Sequence, residues 1–299
     1  APNKPQPMPV AVENIPSSIT SLPRWVCWSW LWNGKKWDKP PLQVNGANAK
    51  SNDSSTWTTL DKTVAAASDR YDGIGFMLGE DENTGLNYAG VDLDDVRANG
   101  EIQCWAYYVL SMLDSYCEIS PSGAGVKALA IGKFPDSKPG APKRKKKDDA
   151  RGIELYDGGR YFTVTGNRLG DFPADVQERS SQLARVLDTL FPVHVGASSP
   201  PQDDKKTALS ALETVKHMAS GYWDWLGVGM ALHRTSPDMD MLSAWDQWSR
   251  NCPEKYVAGE CERKWQTFSG GGITLGSLIY WAKQNGWMAT ATPTQIVQP

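Results

Sequence analysis

Apolar residues change their period once along this chain, and that change limits the fold more than any other feature. Through about the first 165 residues, short runs such as 73–78 (GIGFML), 88–93 (YAGVDL) and 126–131 (VKALAI) read as strands. After residue 207 the apolar positions recur at three and four, as in Trp223, Leu226 and Met230 or Leu242 and Trp245, which is the signature of amphipathic helices. The stretch between, 192–207 (PVHVGASSPPQDDKKT), mixes Pro, Ser, Gly and charge without periodicity and reads as a linker. The expectation is an α+β domain over 18–192, with a largely antiparallel mixed sheet flanked by helices, then a linker at 193–206 and a small all-α domain over 207–288. Residues 1–17, rich in Pro and Asn, are expected to be a disordered extension, and 289–299 a tail or linker that leads on in a longer parent.

Within the first domain, 73–78 and 88–93 are expected to pair as a hairpin around the polar loop EDENTGLN. A helix over 102–113 precedes a strand at 117–120. Further strands are expected at 126–131, 152–156 and 161–165, and a helix carrying Leu183, Val186, Leu187 and Leu190 closes the domain. Alternating tryptophans from Trp25 to Trp37 read as core. The segment 133–152, with the run Lys143, Arg144, Lys145, Lys146 and Lys147, reads as a long mobile loop that could contact nucleic-acid phosphates. In the second domain Thr274 is an expected N-cap and Gly286 an expected stop.

Charge and residue inventory exclude several classes. Lys and Arg number 31 against 34 Asp and Glu, so nucleic-acid binding cannot rest on net charge and needs local basic patches. The apolar runs are too short for a membrane span, and the first residues lack a secretory signal, so a cytoplasmic location is expected. The five cysteines form no CxxC pair and all three histidines lie after residue 193. Metal chemistry earlier in the chain must therefore use carboxylate oxygens, which suit Mg or Mn rather than Zn.

Three segments carry chemistry. In VDLDD, strand alternation puts Asp92 and Asp94 on one face roughly 7 Å apart, where two like charges call for a proton or a cation. In SPSGAGVK, Ser120 and Ser122 offer hydroxyls, Gly123 frees the backbone to turn N–H groups toward an anion, and Lys127 adds a positive charge: a place where phosphate could dock. In GIELY, followed by RYFTVTG, Glu154 points away from Ile153 and Leu155 and supplies a third carboxylate from a separate strand. Three such carboxylates can hold two metals about 3.5 to 4 Å apart. Singly, each segment is also compatible with an ordinary solvated strand or turn.

In this order, hDhDD, SPSGxGxK, then hEhY with RYFTVTG, the segments resemble the archaeo-eukaryotic primase superfamily in its phage and plasmid primase-polymerase branch. The likeness extends upstream through LPRWVCW, Lys39-Pro40 and 51–57, covering roughly residues 18–190. Residues 207–288 resemble the helical PriCT-type domain that often follows. The resemblance implies a primase-type catalytic core, with Asp92, Asp94 and Glu154 as catalytic and metal-binding residues for two Mg or Mn ions. It implies Ser120, Ser122, Gly123, Lys127, Arg160 and, more weakly, Lys39 around the triphosphate. Tyr161, directly after Arg160, is either a wall against the sugar that favours dNTPs or an ordinary core tyrosine. Lys127 stands where the family usually has histidine, which excludes any role for a neutral imidazole there.

The implied activity is that of a DNA primase and template-dependent DNA polymerase making or extending primers from dNTPs on single-stranded DNA, in phage or plasmid replication within a prokaryotic host. Ribonucleotide use stays open, a helicase domain or protein is the implied partner, and a monomer is expected. The alternative is a replication initiator that binds DNA with weak or no polymerase activity, a reading kept open by Lys127. A nuclease using the same carboxylates leaves the other two motifs without purpose.

Overall fold

The computed structural model describes residues 2–135, 144–148, 151–191, 201–269 and 272–288. The chain divides into two compact units, Ala1–Leu187 and Asp188–Pro299. The first opens with the helical turn α1 (Ser17–Thr20), the strand β1 (Trp25–Trp28), and the short strands β2 (Leu31–Trp32), β3 (Trp37–Asp38) and β4 (Pro41–Leu42). Next come α2 (Leu60–Arg70), β5 (Gly73–Met77), β6 (Gly79–Glu80), β7 (Asn87–Leu93), β8 (Arg97–Ala98), β9 (Glu101–Ile102) and α3 (Cys104–Leu113). The unit continues with β10 (Tyr116–Ile119), β11 (Val126–Ile131), β12 (Arg144–Asp148), β13 (Arg151–Tyr156), β14 (Tyr161–Val164) and β15 (Gln177–Glu178), and α4 (Ser180–Leu190) crosses into the second unit.

Two sheets organise the first unit. One has the order β14-β5-β1-β4; the other runs β10-β11-β7-β13-β12, with β6 added on β7 and β15 on β11. All these pairings are antiparallel except β11 with β15, as the α+β reading requires. The expected hairpin between 73–78 and 88–93 does not form. β5 pairs with β1 and β14, whereas β7 pairs with β11 and β13. The chain leaves the first sheet after Met77, passes Gly79 at φ +112°, and β6 joins β7 in the second sheet. Local alternation shows that a segment is a strand but not which sheet receives it.

The sheets share an aromatic core: Trp25, Ile74, Phe76, Phe162 and Val164 from one, Tyr88, Tyr116, Leu129 and Tyr156 from the other. They meet tightly at Gly90, where a Cβ would lie 2.3 Å from the Phe162 ring, so only glycine lets β7 pass. Trp25 and Trp28 are core as expected, but Trp30, Trp32 and Trp37 are only half-buried.

Two further expectations need correction. Residues 2–17 do not trail away: backbone bonds from Met8 to Pro121 and from Ala11 to Thr165 lay them on the unit, and Ile15 enters the core. The basic run is not wholly loop, because Arg144–Asp148 pairs with β13 as a strand and makes β13 an interior one; Lys143 lies outside the described residues.

The second unit is helical: α5 (Pro201–Leu212), a 3-10 segment (Glu213–Ser220), α6 (Tyr222–Thr235), α7 (Met239–Ser249), α8 (Glu260–Trp265) and α9 (Leu275–Gln284). Helix α5 begins inside the stretch read as linker. Trp225 and Trp245 stack at 4.7 Å in its core, and the Trp225 indole donates to Ser249 Oγ at 2.7 Å. Thr274 caps α9 through a reciprocal box with Ser277, and Gly286 follows the helix at φ +86°. Among the described residues no helix is long and apolar enough to cross a membrane.

Candidate active site

One face of the larger sheet is apolar at one end and charged at the other. Along β7, Tyr88, Gly90 and Asp92 share this face; Tyr88 lies in the core and Asp92 lies beyond the Phe162 ring that packs on Gly90. Strand register then sets a row across the sheet: Glu118 opposite Lys127, Lys127 opposite Asp92, and Asp92 opposite Glu154, with Lys145 at the next register position. Two of the predicted carboxylates are thus direct cross-strand neighbours. Asp94 follows just past β7, its N–H donating to the Gly152 carbonyl at 2.9 Å.

This row forms part of a cleft of about 810 Å³. Asp92, Asp94, Glu154, Ser120, Ser122, Lys127, Arg160, Tyr161 and Lys39 all line it. Of the predicted nucleotide residues only Gly123 does not. Its N–H donates to the Ser120 carbonyl at 2.9 Å, and Gly125 N–H donates to Ser120 Oγ at 3.1 Å. These turn amides therefore face inward, and what the turn offers a phosphate is the pair of hydroxyls, Ser120 Oγ and Ser122 Oγ, 3.1 Å apart.

The acids are not equivalent. Lys127, almost buried, places Nζ 2.5 Å from Asp92 Oδ2 and 4.6 Å from the Phe162 ring centroid. The lysine therefore serves first as the partner of a carboxylate rather than as a free phosphate-binding cation. Asp92 Oδ1 is buried with no hydrogen-bond partner, and Glu154 Oε2 accepts from the Tyr156 hydroxyl at 2.5 Å. Asp94 reaches solvent, yet desolvation by the cleft walls and the charges of Asp92 and Glu154 push its carboxyl up to about 6, against the pull of Lys127 and Lys39.

Among the described residues no three acid, thiol or imidazole groups already stand as a metal-binding set. The donor chemistry nevertheless fits a divalent cation: hard oxygens on adjacent strands, an orphaned buried oxygen on Asp92, and a neighbour whose ionisation is disfavoured by negative charge.

The same cleft carries further cations. Lys39 sits over the Trp30 ring at 4.5 Å, and burial, then the nearby Lys127 charge, lowers its pKa. Arg160 lies 5.3 Å over the Tyr156 ring centroid and is exposed. The Tyr161 hydroxyl donates to the Lys39 carbonyl, while its ring fills the space beside Gly75, so the side chain is pinned from both ends. Burial raises its hydroxyl pKa.

Sequence reasoning missed Lys50, Ser51 and Asn52, which also line the cleft, and it missed Glu118. That carboxylate is 2 % exposed and accepts from Tyr116 Oη at 2.8 Å and from the Thr165 and Gly166 N–H groups at 2.9 Å each. Desolvation raises its pKa to about 7 against those bonds. A lone acid on the core face of β10, two places after Tyr116, was the available signal.

Residues 207–282 match the family Primase C terminal 2 (PriCT-2). The chain is also 35 % identical over 172 residues to a DNA primase-polymerase of Nitratiruptor phage NrS-1, an alignment that takes in 56 % of this chain and 22 % of that protein. The chain thus spans about a fifth of the length of this curated relative. The chain is thus similar, over part of its length, to a phage DNA primase-polymerase and on its C-terminal side to the PriCT-2 family, and the three ordered segments 92–94, 120–127 and 154–160 meet in one cleft.

Proposed function

We propose that the cleft is the centre of a template-dependent nucleotidyltransferase that starts or extends DNA primers from dNTPs on single-stranded DNA. One observation carries the reading: acids from two strands, Asp92 and Asp94 at β7 and Glu154 on β13, line the same cleft as Ser120, Ser122, Lys39 and Arg160. Asp92, Asp94 and Glu154 would hold Mg or Mn, whose charge would acidify the attacking 3′-hydroxyl and neutralise the departing pyrophosphate.

The chain's own groups do the rest. Lys127 holds Asp92 in one orientation through its contact with Oδ2. The hydroxyls of Ser120 and Ser122 donate to phosphate oxygens. Arg160 and Lys39 supply charge in the same cleft, the guanidinium able to bind two oxygens at once. Tyr161, pinned between Gly75 and the Lys39 carbonyl, presents a rigid wall against the sugar. Replacing it, Tyr161→Ala, is expected to narrow the preference for dNTPs over rNTPs at least tenfold in competitive incorporation; unchanged discrimination would remove this role. The PriCT-2 region would act as an accessory to template or first-nucleotide binding.

The test is nucleotide incorporation on single-stranded DNA, with and without a primer, in Mg and in Mn, comparing the parent with Asp92→Ala plus Asp94→Ala. Product from the parent alone supports the reading, and unprimed product adds priming to polymerisation. Equal product from both proteins would refute the site.

A further inference from the structure

A stretch of backbone that no motif marks, residues 8–11, ties the 120–125 turn, whose Ser120 and Ser122 line the cleft, to the segment 165–167 that follows β14. Met8 N–H donates to the Pro121 carbonyl at 2.9 Å, inside the 120–125 turn. Ala11 N–H donates to the Thr165 carbonyl at 2.8 Å, and the Asn167 side-chain amide donates to the Pro9 carbonyl at 2.8 Å. The crossing over Gly166 is close: a Cβ there would lie 2.0 Å from the Ala11 carbonyl oxygen, and φ is +66°, so glycine is required on both counts.

Both anchorages are themselves fixed. Thr165 and Gly166 donate their N–H groups to the buried Glu118, and the Thr165 hydroxyl donates to Ile119, the residue before Ser120. Val10 and Val12 pack on the core. Pro7 and Pro9 flank Met8, restrict the backbone there to extended forms and lack N–H groups, so Met8 alone of these three can donate to the turn. Disorder would leave the prolines without this use.

We propose that residues 8–11 are a positioning strap for the nucleotide's phosphates: stretched between Thr165 and Pro121, they fix the 120–125 turn in the form whose serine hydroxyls face the cleft. The inference rests on the nucleotidyltransferase reading of that cleft. The strap touches no substrate; it acts through the turn.

The test uses the full chain with Met8→Pro, which removes one N–H while keeping an extended backbone, and Met8→Leu, which keeps the N–H. Two readouts are taken: amide hydrogen exchange at Gly123 and Gly125, and KM and kcat for a dNTP on a primed template. Met8→Pro is expected to speed exchange in the turn and raise KM, each by about fivefold, the population change that loss of one ordinary hydrogen bond brings. Its kcat should stay within about twofold, and Met8→Leu should behave as the parent. Parental exchange and KM in Met8→Pro would overturn the proposal, as would equal changes in Met8→Leu. Should Met8→Pro fail to fold, Ala11→Pro cuts the strap at its Thr165 anchor and faces the same criteria. A parent that incorporates nothing would refute the cleft reading and the strap's role toward phosphate, and the exchange comparison would then judge the tether by itself.

Discussion

Two walls of the same cleft are built on opposite principles. The 120–125 turn has partners on every side: the Gly123 and Gly125 amides donate to Ser120 and the Ala124 amide to Ser122, while the Pro121 carbonyl accepts from Met8 and the Gly123 and Ala124 carbonyls accept from Arg97. The acid wall is not satisfied. Asp92 keeps a buried oxygen without a partner, and Asp94 is pushed toward its neutral form. One wall is thus complete and the other in electrostatic conflict, and on the proposed reading the turn would meet the phosphates while a divalent cation would relieve the acids.

The contrast breaks most sharply at the two aspartates. Asp92→Asn and Asp94→Asn should each lower incorporation by on the order of 100-fold or more, yet shift stability in opposite directions. Losing the Asp92 charge strands the Lys127 ammonium, 9 % exposed, at a cost of about 3 kcal/mol in denaturant melts. Losing the Asp94 charge relieves repulsion from Asp92 and Glu154 and should raise the melting temperature. A fall for both would show that the acids are matched rather than in conflict.

Titration sharpens the same point. Asp94 binds its proton more tightly in the folded chain, at about 6 against 3.8 unfolded. Its contribution to stability is therefore fully present below pH 3.8, is lost as pH rises through about 6, and stays lost above. The difference between parent and Asp94→Asn melting temperatures should widen across that window, and Mg or Mn at pH 8 should close it. A difference independent of pH and metal would contradict the raised carboxyl.

The smallest effect belongs to the complete wall. Ser120→Ala removes the acceptor for Gly125 N–H and the contact with Ser122, which should cost about 1 kcal/mol of stability and raise KM for dNTP a few-fold with little change in kcat. A large loss of kcat would place Ser120 in the chemistry itself.

Much of the site was legible because strand alternation is local. It put Asp92 on the face away from Val91 and Leu93, and Glu154 on the face away from Ile153 and Leu155; register then brought the two strands side by side. What needed the structure was long-range. No local pattern tells that β5 and β7 belong to different sheets, that Lys127 pairs with Asp92, or that Glu118 is sealed beneath the turn after β14. The proline-rich start read as disorder because composition reports the absence of periodicity, not the presence of a groove that accepts an extended strap. The basic run read as a loop for a similar reason: like charges argue against a strand until a partner such as β13 supplies the ladder.

The central claim is that acids from two different strands act as one centre, and Glu154 tests it most directly because it lies outside the aspartate motif. Primer extension should be measured with Glu154→Gln, its fold verified by melting, against the parent in Mg and in Mn. The account predicts a loss on the order of 100-fold in both metals with the fold retained. Extension at the parental rate by Glu154→Gln would contradict it and leave Asp92 and Asp94 without their third partner.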